Sequence, residues 1–167
     1  MTATRRSPWG WFAHLGAATF LLAALSGCAV DGLTFVKDDR VRIQHPGDGD
    51  SVTLPFDLTW TVTDFDGSFA VFFDRPPMRP GRDLLSLVDD TDPCRALPGC
   101  PTTSWLNERD IYITDGLSTR VERLRDNSRS DHAKDRHLAS IVLLDDQGRR
   151  VGESVYIVEF FVEREDR

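Results

Sequence analysis

The chain has 167 residues, 20 of them Lys or Arg and 27 Asp or Glu, for a net charge of −7. A net acidic chain carries no electrostatic footprint for nucleic acid, and anionic lipid headgroups repel it. Its length suits one domain behind a short leader, enough to bury about two-thirds of the surface that the unfolded chain exposes.

Residues 1–27 hold Arg5 and Arg6 and no acid, and an apolar stretch runs from Trp9 to Leu25, broken by His14 and small residues. A charged start, an apolar middle and a small-residue end make the layout of an export signal. As a permanent span the run is marginal, because crossing takes about 20 predominantly apolar residues. It ends in Leu25-Ser26-Gly27-Cys28.

These four residues resemble the bacterial lipobox, in which a leucine, two small residues and a cysteine close the signal peptide. The resemblance implies that residues 1–27 are removed and that the Cys28 sulfur receives a diacylglyceryl group. The new amino terminus is then open to acylation. It implies a lipoprotein, anchored through Cys28 on the extracytoplasmic side of a bacterial membrane. Two acyl chains hold stably where one binds only reversibly. The alternative is an ordinary secretory leader with a chance cysteine at its end. The twin arginines suggest the folded-protein export route, but Pro8 and Trp9 behind them fit that motif poorly.

Removing the leader takes away Arg5 and Arg6, leaving 18 basic against 27 acidic residues over 28–167, a net charge of −9. The hold on the membrane must therefore come from the lipid. Residues 28–39 read as a tether, and period-two alternation begins behind it. In Phe56-Asp57-Leu58-Thr59-Trp60-Thr61-Val62 the apolar residues share one face and the polar ones the other, a half-buried strand with a wet side. "PGDGD" and "DFDGS" flank it with the glycine and aspartate that turns need.

Phe69 to Asp74 is apolar on both faces, which predicts a central strand. "RPPMRPG" stops the pattern, since proline cannot donate to a ladder, and an irregular stretch runs on to Trp105. "RDIYITDG" reads as a short strand and "STRVERLRD" as a strand or a helical turn. "NSRSDHAKDR" reads as a polar loop. The closing segment "HLASIVLLDDQGRRVGESVYIVEFFVERE" holds two strands around "DDQGRR", with Tyr156, Val158, Phe160 and Val162 on one face.

The fold class expected is all-β: one antiparallel β-sandwich over residues 40–167 with seven or eight strands. The closing hairpin and "SVTLPFDLTW" near the other end are similar to strands of bacterial immunoglobulin-like and fibronectin type III-like domains. The inter-sheet cysteine pair of immunoglobulins is missing, because Cys94 and Cys100 lie too close in sequence to link two sheets.

Cys94 and Cys100 in "DPCRALPGC" form an even pair in an exported chain, which reads as a disulfide. Closing so small a ring stabilises by about 2 kcal/mol in the chain-entropy model. The alternative is a metal pair, but zinc takes four ligands at tight spacing and no other cysteine is free for it.

Hydrolase chemistry needs a nucleophile, a base and an oxyanion hole. No G-x-S-x-G is present, and Ser128 and Ser130 beside Asp131 and His132 sit in a polar loop. His132 and His137, with Asp131 and Asp135 near them, are five positions apart and share neither a helix nor a strand face. His137, at the start of a strand, is expected to bond backbone in the manner of a tyrosine corner. Asp89, Asp90 and Asp92, like Asp48 and Asp50, offer oxygens to calcium but read as solvated turn acids. In "RPPMRPGRD" the arginines Arg75, Arg79 and Arg82 flank Met78, taken as exposed, in a proline-stiffened loop. That loop is the candidate contact surface, since rigid loops often carry recognition.

These readings point to a non-catalytic binding or scaffolding module, with no cofactor and no metal. Its partner would be an envelope protein or the cell wall, with no nucleic acid. The alternatives are an envelope accessory enzyme and a metal-binding protein.

Overall fold

Residues 38–125 and 134–163 are described by the computed structural model. The leader, Cys28, the tether up to residue 37, and Ser128, Ser130, Asp131 and His132 lie outside them. Among the described residues no helix is long and apolar enough to cross a membrane.

The alternation in the sequence becomes eight strands among the described residues: β1 Val41–His45, β2 Ser51–Val52, β3 Phe56–Val62, β4 Ser68–Phe73, β5 Ile111–Thr114, β6 Ser118–Val121, β7 Lys134–Leu144 and β8 Arg150–Glu163. They form a three-stranded sheet, β1-β3-β6, and a five-stranded sheet, β2-β8-β7-β4-β5. The fold is all-β in two sheets, and the five-stranded one curls as a half-barrel. β1 pairs antiparallel with β3, Val41 opposite Val62, whereas β2, a few residues on, crosses to the other sheet and lies parallel to β8. The segment written "STRV" is a strand, with Val121 opposite Phe56.

Facing rows of side chains bind the two sheets. Leu58, Trp60 and Phe56 of β3 are buried together with Phe69, Val71 and Phe73 of β4 and with Val158, Phe160 and Val162 of β8. Their rings meet edge to face, Phe56 on Phe160 at 5.4 Å and Trp60 on Phe69 at 5.3 Å, the arrangement aromatic quadrupoles favour. Thr59 and Glu159, on the opposite faces of their strands, are only half-buried.

β4 is flanked by β7 and β5, the central placement that its apolar character predicts. Its second face, Ala70 and Phe72, packs with Val142 and Leu144 of β7 under a cover supplied by the long connection to β5. That cover contains 3-10 turns at Leu84–Leu87 and Pro93–Ala96 and one short helix, α1, Thr103–Asn107. Met78 and Leu106 fill the space between it and the sheet.

Candidate functional site

The cover is held by caps, by arginines and by an isolated antiparallel bridge between Asp83 and Arg149. Cys94 and Cys100 stand at disulfide distance, with their Cα atoms 5.5 Å apart. Asp92 closes the turn before them by accepting the Cys94 N–H at 2.9 Å. Its other oxygen accepts from Trp105 Nε1 and from Arg109 Nη2, both at 3.3 Å. The Arg109 guanidinium lies 3.8 Å from the Trp105 ring centre, a cation–π contact. The cysteine ring is thereby tied to α1.

β4 ends at Phe73, and Asp74 behind it, with a φ of 53°, turns the chain out of the sheet into Arg75-Pro76-Pro77-Met78-Arg79-Pro80-Gly81-Arg82. Arg75 is committed inside the cover: its Nη1 donates to the Arg109 carbonyl at 3.0 Å, and burial lowers its pKa. Met78 is the correction to the expected contact surface. It is 4% exposed and packs against Phe72, Leu106 and Ile111.

The same loop is fastened by Arg150 on β8, distant only in the sequence. Its Nη1 donates to the Met78 carbonyl at 2.6 Å, and its Nη2 reaches the carbonyls of Glu153 and Ser154. Backbone bonds join the same two segments, Gly81 N–H to the Arg150 carbonyl at 3.0 Å and Arg150 N–H to the Arg82 carbonyl at 2.9 Å. Arg150 is 6% exposed, and desolvation pushes its pKa down. Its Nε has no hydrogen-bond partner among the described residues.

Arg79 and Arg82 stay outside. They line an open cleft of about 510 Å³ with Pro77, Met78, Ser86 and Leu87, within the size range of ligand sites. A second hollow shares Arg82 and Ser86 and is completed by Gly81, Asp83, Leu85, Arg95 and Arg149. Asp83 caps the turn that follows, accepting the Ser86 N–H at 3.2 Å, while Ser86 Oγ donates to the Asp83 carbonyl at 2.6 Å. Two of the four arginines are already engaged. Arg95 donates to the Val88 carbonyl at 2.8 Å and pairs with Asp90, and Arg149 pairs with Asp145 at 3.0 Å. The guanidinium groups of Arg79 and Arg82 have no hydrogen-bond or ion-pair partner among the described residues.

The histidine and the turn acids lie elsewhere. His137 is buried on β7, its ring stacked on Phe160 at 5.8 Å. Its partner is a carboxylate and not the expected backbone group: Nδ1 lies 2.6 Å from Asp74 Oδ2, and Asp74 Oδ1 accepts the Leu138 N–H at 2.9 Å. Nearby, burial raises the pKa of Asp110, against the pull of Arg125 at 3.4 Å. Asp48 accepts the Glu159 N–H at 3.1 Å and Asp50 the Gly47 N–H at 2.7 Å. Among the described residues no three His, Cys, Asp or Glu side chains gather into a set that would hold a metal ion.

Of the expected contact residues, the structure therefore brings Arg79 and Arg82 to the cleft rim, sends Met78 inward and uses Arg75 to hold the cover. Ser86, Arg95, Arg149 and Arg150 escaped the sequence reading. The "GRR" behind the closing turn marks the last two as cations, but nothing local says that they meet a loop some 70 residues away. The chain matches no family model, no curated protein and no solved structure.

Proposed function

We propose that this chain is a lipid-anchored envelope lipoprotein whose domain binds a partner and does not catalyse. The anchor rests on Leu25-Ser26-Gly27-Cys28: residues 1–27 would be the signal peptide and Cys28 the acylated residue on the extracytoplasmic side. An immunoglobulin-like β-sandwich is the finer fold reading. The two sheets and their common aromatic core support it, while the parallel β2–β8 pair is a departure in detail.

The binding role is carried by one observation: two guanidinium groups without a partner among the described residues, at an open cleft on a loop that Arg150 fastens to the sheet. A rigid loop keeps its contact groups in place before the partner arrives, which lowers the ordering cost of binding. The partner would be another envelope protein.

A photo-crosslinking side chain placed at Arg79 in living cells tests this reading. The expected result is a discrete adduct with an envelope component, lost when the same group stands at Thr61 on the other sheet. Identical adduct patterns from the two positions would remove the cleft from the binding role. The anchor has its own test. Cys28→Ala should abolish fatty-acid labelling, and equal labelling of variant and wild type would contradict the lipoprotein reading.

A further inference from the structure

We infer that the cleft at Arg79 and Arg82 takes an acidic peptide segment, one whose carboxylates flank an apolar side chain. This rests on the binding-module reading and names its ligand class.

The charge argument comes first. The chain carries 27 acids against 20 bases, so carboxylates that could pair with its arginines are plentiful. Arg79 and Arg82 form no ion pair among the described residues, although Asp83 follows Arg82 in the chain, and both line the same hollow. Behind them, the partners of the buried Arg150 guanidinium are the carbonyls of Met78, Glu153 and Ser154. Carbonyl dipoles solvate its charge, which the Glu153 carboxylate offsets in part, so what remains of its field adds to that of the two rim arginines. The Met78 carbonyl it holds belongs to the residue at the cleft wall.

The shape argument selects the kind of anion. The apolar part of the lining is Pro77 and Leu87, with the little of Met78 that is exposed, which favours an apolar group on the ligand. Guanidinium forks match single carboxylates bidentately. A compact phosphate suits the site less well. Asp83 stands in the adjoining hollow and repels a dianion more strongly than a monoanion, and the Ser86 hydroxyl proton is already given to the Asp83 carbonyl. The Arg82 N–H to Arg79 carbonyl bond at 3.1 Å fixes the turn that spaces the two forks.

The test uses the full chain in detergent and fluorescence anisotropy of a labelled peptide alternating aspartate and leucine. Its lysine–leucine counterpart, and inorganic phosphate at matched ionic strength, serve as comparisons. The acidic peptide should bind and the basic one should not. Arg79→Glu with Arg82→Glu should weaken binding at least about tenfold, roughly 1.4 kcal/mol, while leaving the denaturation midpoint unchanged because both side chains are exposed. Arg79→Lys with Arg82→Lys should retain part of the affinity, since charge persists but the fork is lost. Displacement of the peptide by phosphate at equal concentration would overturn the peptide assignment in favour of a simple anion site. An affinity within about twofold of wild type after double charge reversal would overturn the inference altogether. Should the crosslinker at Arg79 still capture an envelope component in that case, the binding module stands and only its acidic ligand falls.

Discussion

The two faces of the five-stranded sheet are covered in different ways. Toward the three-stranded sheet, Phe69, Val71 and Phe73 alternate into a layer of aromatic and branched side chains from partner strands. Toward the cover, Ala70 and Phe72 meet Met78 and Leu106 from a segment with no strand and only short helical turns. The first face is held by area, and area is cumulative: one ring more or less shifts the stability of the whole domain. The second is held by a few directed contacts, a cap at Asp92, a cysteine ring and the Arg150 guanidinium. Losing one of those frees a segment rather than the fold. Recognition belongs naturally on the second kind of surface, where a loop can be fixed or altered without disturbing the framework.

The sharpest contrast comes from the core. Trp60→Ala removes a ring that is 2% exposed and should cost about 3–5 kcal/mol, as aromatic truncation in cores does. Thr59→Ala, one position along on the other face, should stay within about 0.5 kcal/mol. Chemical denaturation compares the pair, and the reverse order would mean that β3 is one residue out of register.

Arg150→Met keeps much of the side-chain volume but orphans the carbonyls of Met78, Glu153 and Ser154. A cost of about 1–3 kcal/mol is expected from lost charged hydrogen bonds. Amide exchange should accelerate at Met78, Arg79 and Arg82 but not in β3. Equal acceleration in β3 would place Arg150 in the framework. Replacing Cys94 and Cys100 together by serine should cost about 2 kcal/mol, with faster proteolysis confined to the cover. New cleavage within β7 or β8 would show that the ring braces the sheet.

The smallest expected effect is spectroscopic. The Tyr156 hydroxyl makes no well-formed hydrogen bond among the described residues, and burial first, with the Asp38 carboxylate near it, pushes its pKa up to about 12 from an ordinary 10.0. The folded pKa is the higher one, so its stabilising contribution is intact below pH 10.0 and is lost as pH rises toward about 12. Asp38 works in the opposite direction. Its hydrogen bonds from Arg40 hold it well below the usual carboxylate range, so its contribution is present above the unfolded pKa and is lost in strong acid. Tyr112 is raised as well, by burial, so both tyrosines of the chain should ionise late by ultraviolet absorbance. Tyr156→Phe should remove the later of the two steps, and a Tyr156 step at the ordinary pKa would contradict its burial.

The same division governs how much could be read from the sequence. β3, β4, β8 and β7 from His137 on are legible because burial on a sheet imprints period two, and burial on both faces a continuous apolar run, whereas residues 134–136, read as the end of a polar loop, begin β7. The cysteine pair was legible because its partners are six positions apart. The crossing of β2 to lie parallel with β8 was not, since so short a pairing leaves no pattern. Met78 reads as exposed, since prolines and arginines around it suggest a surface loop, whereas its side chain joins the core with Phe72 and Leu106 and its carbonyl is held by Arg150, 72 positions away. His137 finds its carboxylate 63 positions away, at Asp74. At the candidate site the arginines of the loop were visible. Which of them stay free depended on partners brought in by the fold.

Residue-resolved hydrogen exchange on the folded chain, followed through mild denaturant, asks most directly whether framework and cover are separate. Amides of β4, β7 and β8 should exchange only through global unfolding, and those of residues 78–97 through a cheaper opening that denaturant scarcely affects. A single opening energy shared by both regions would contradict that separation, and with it the case for the cover as an independent recognition surface.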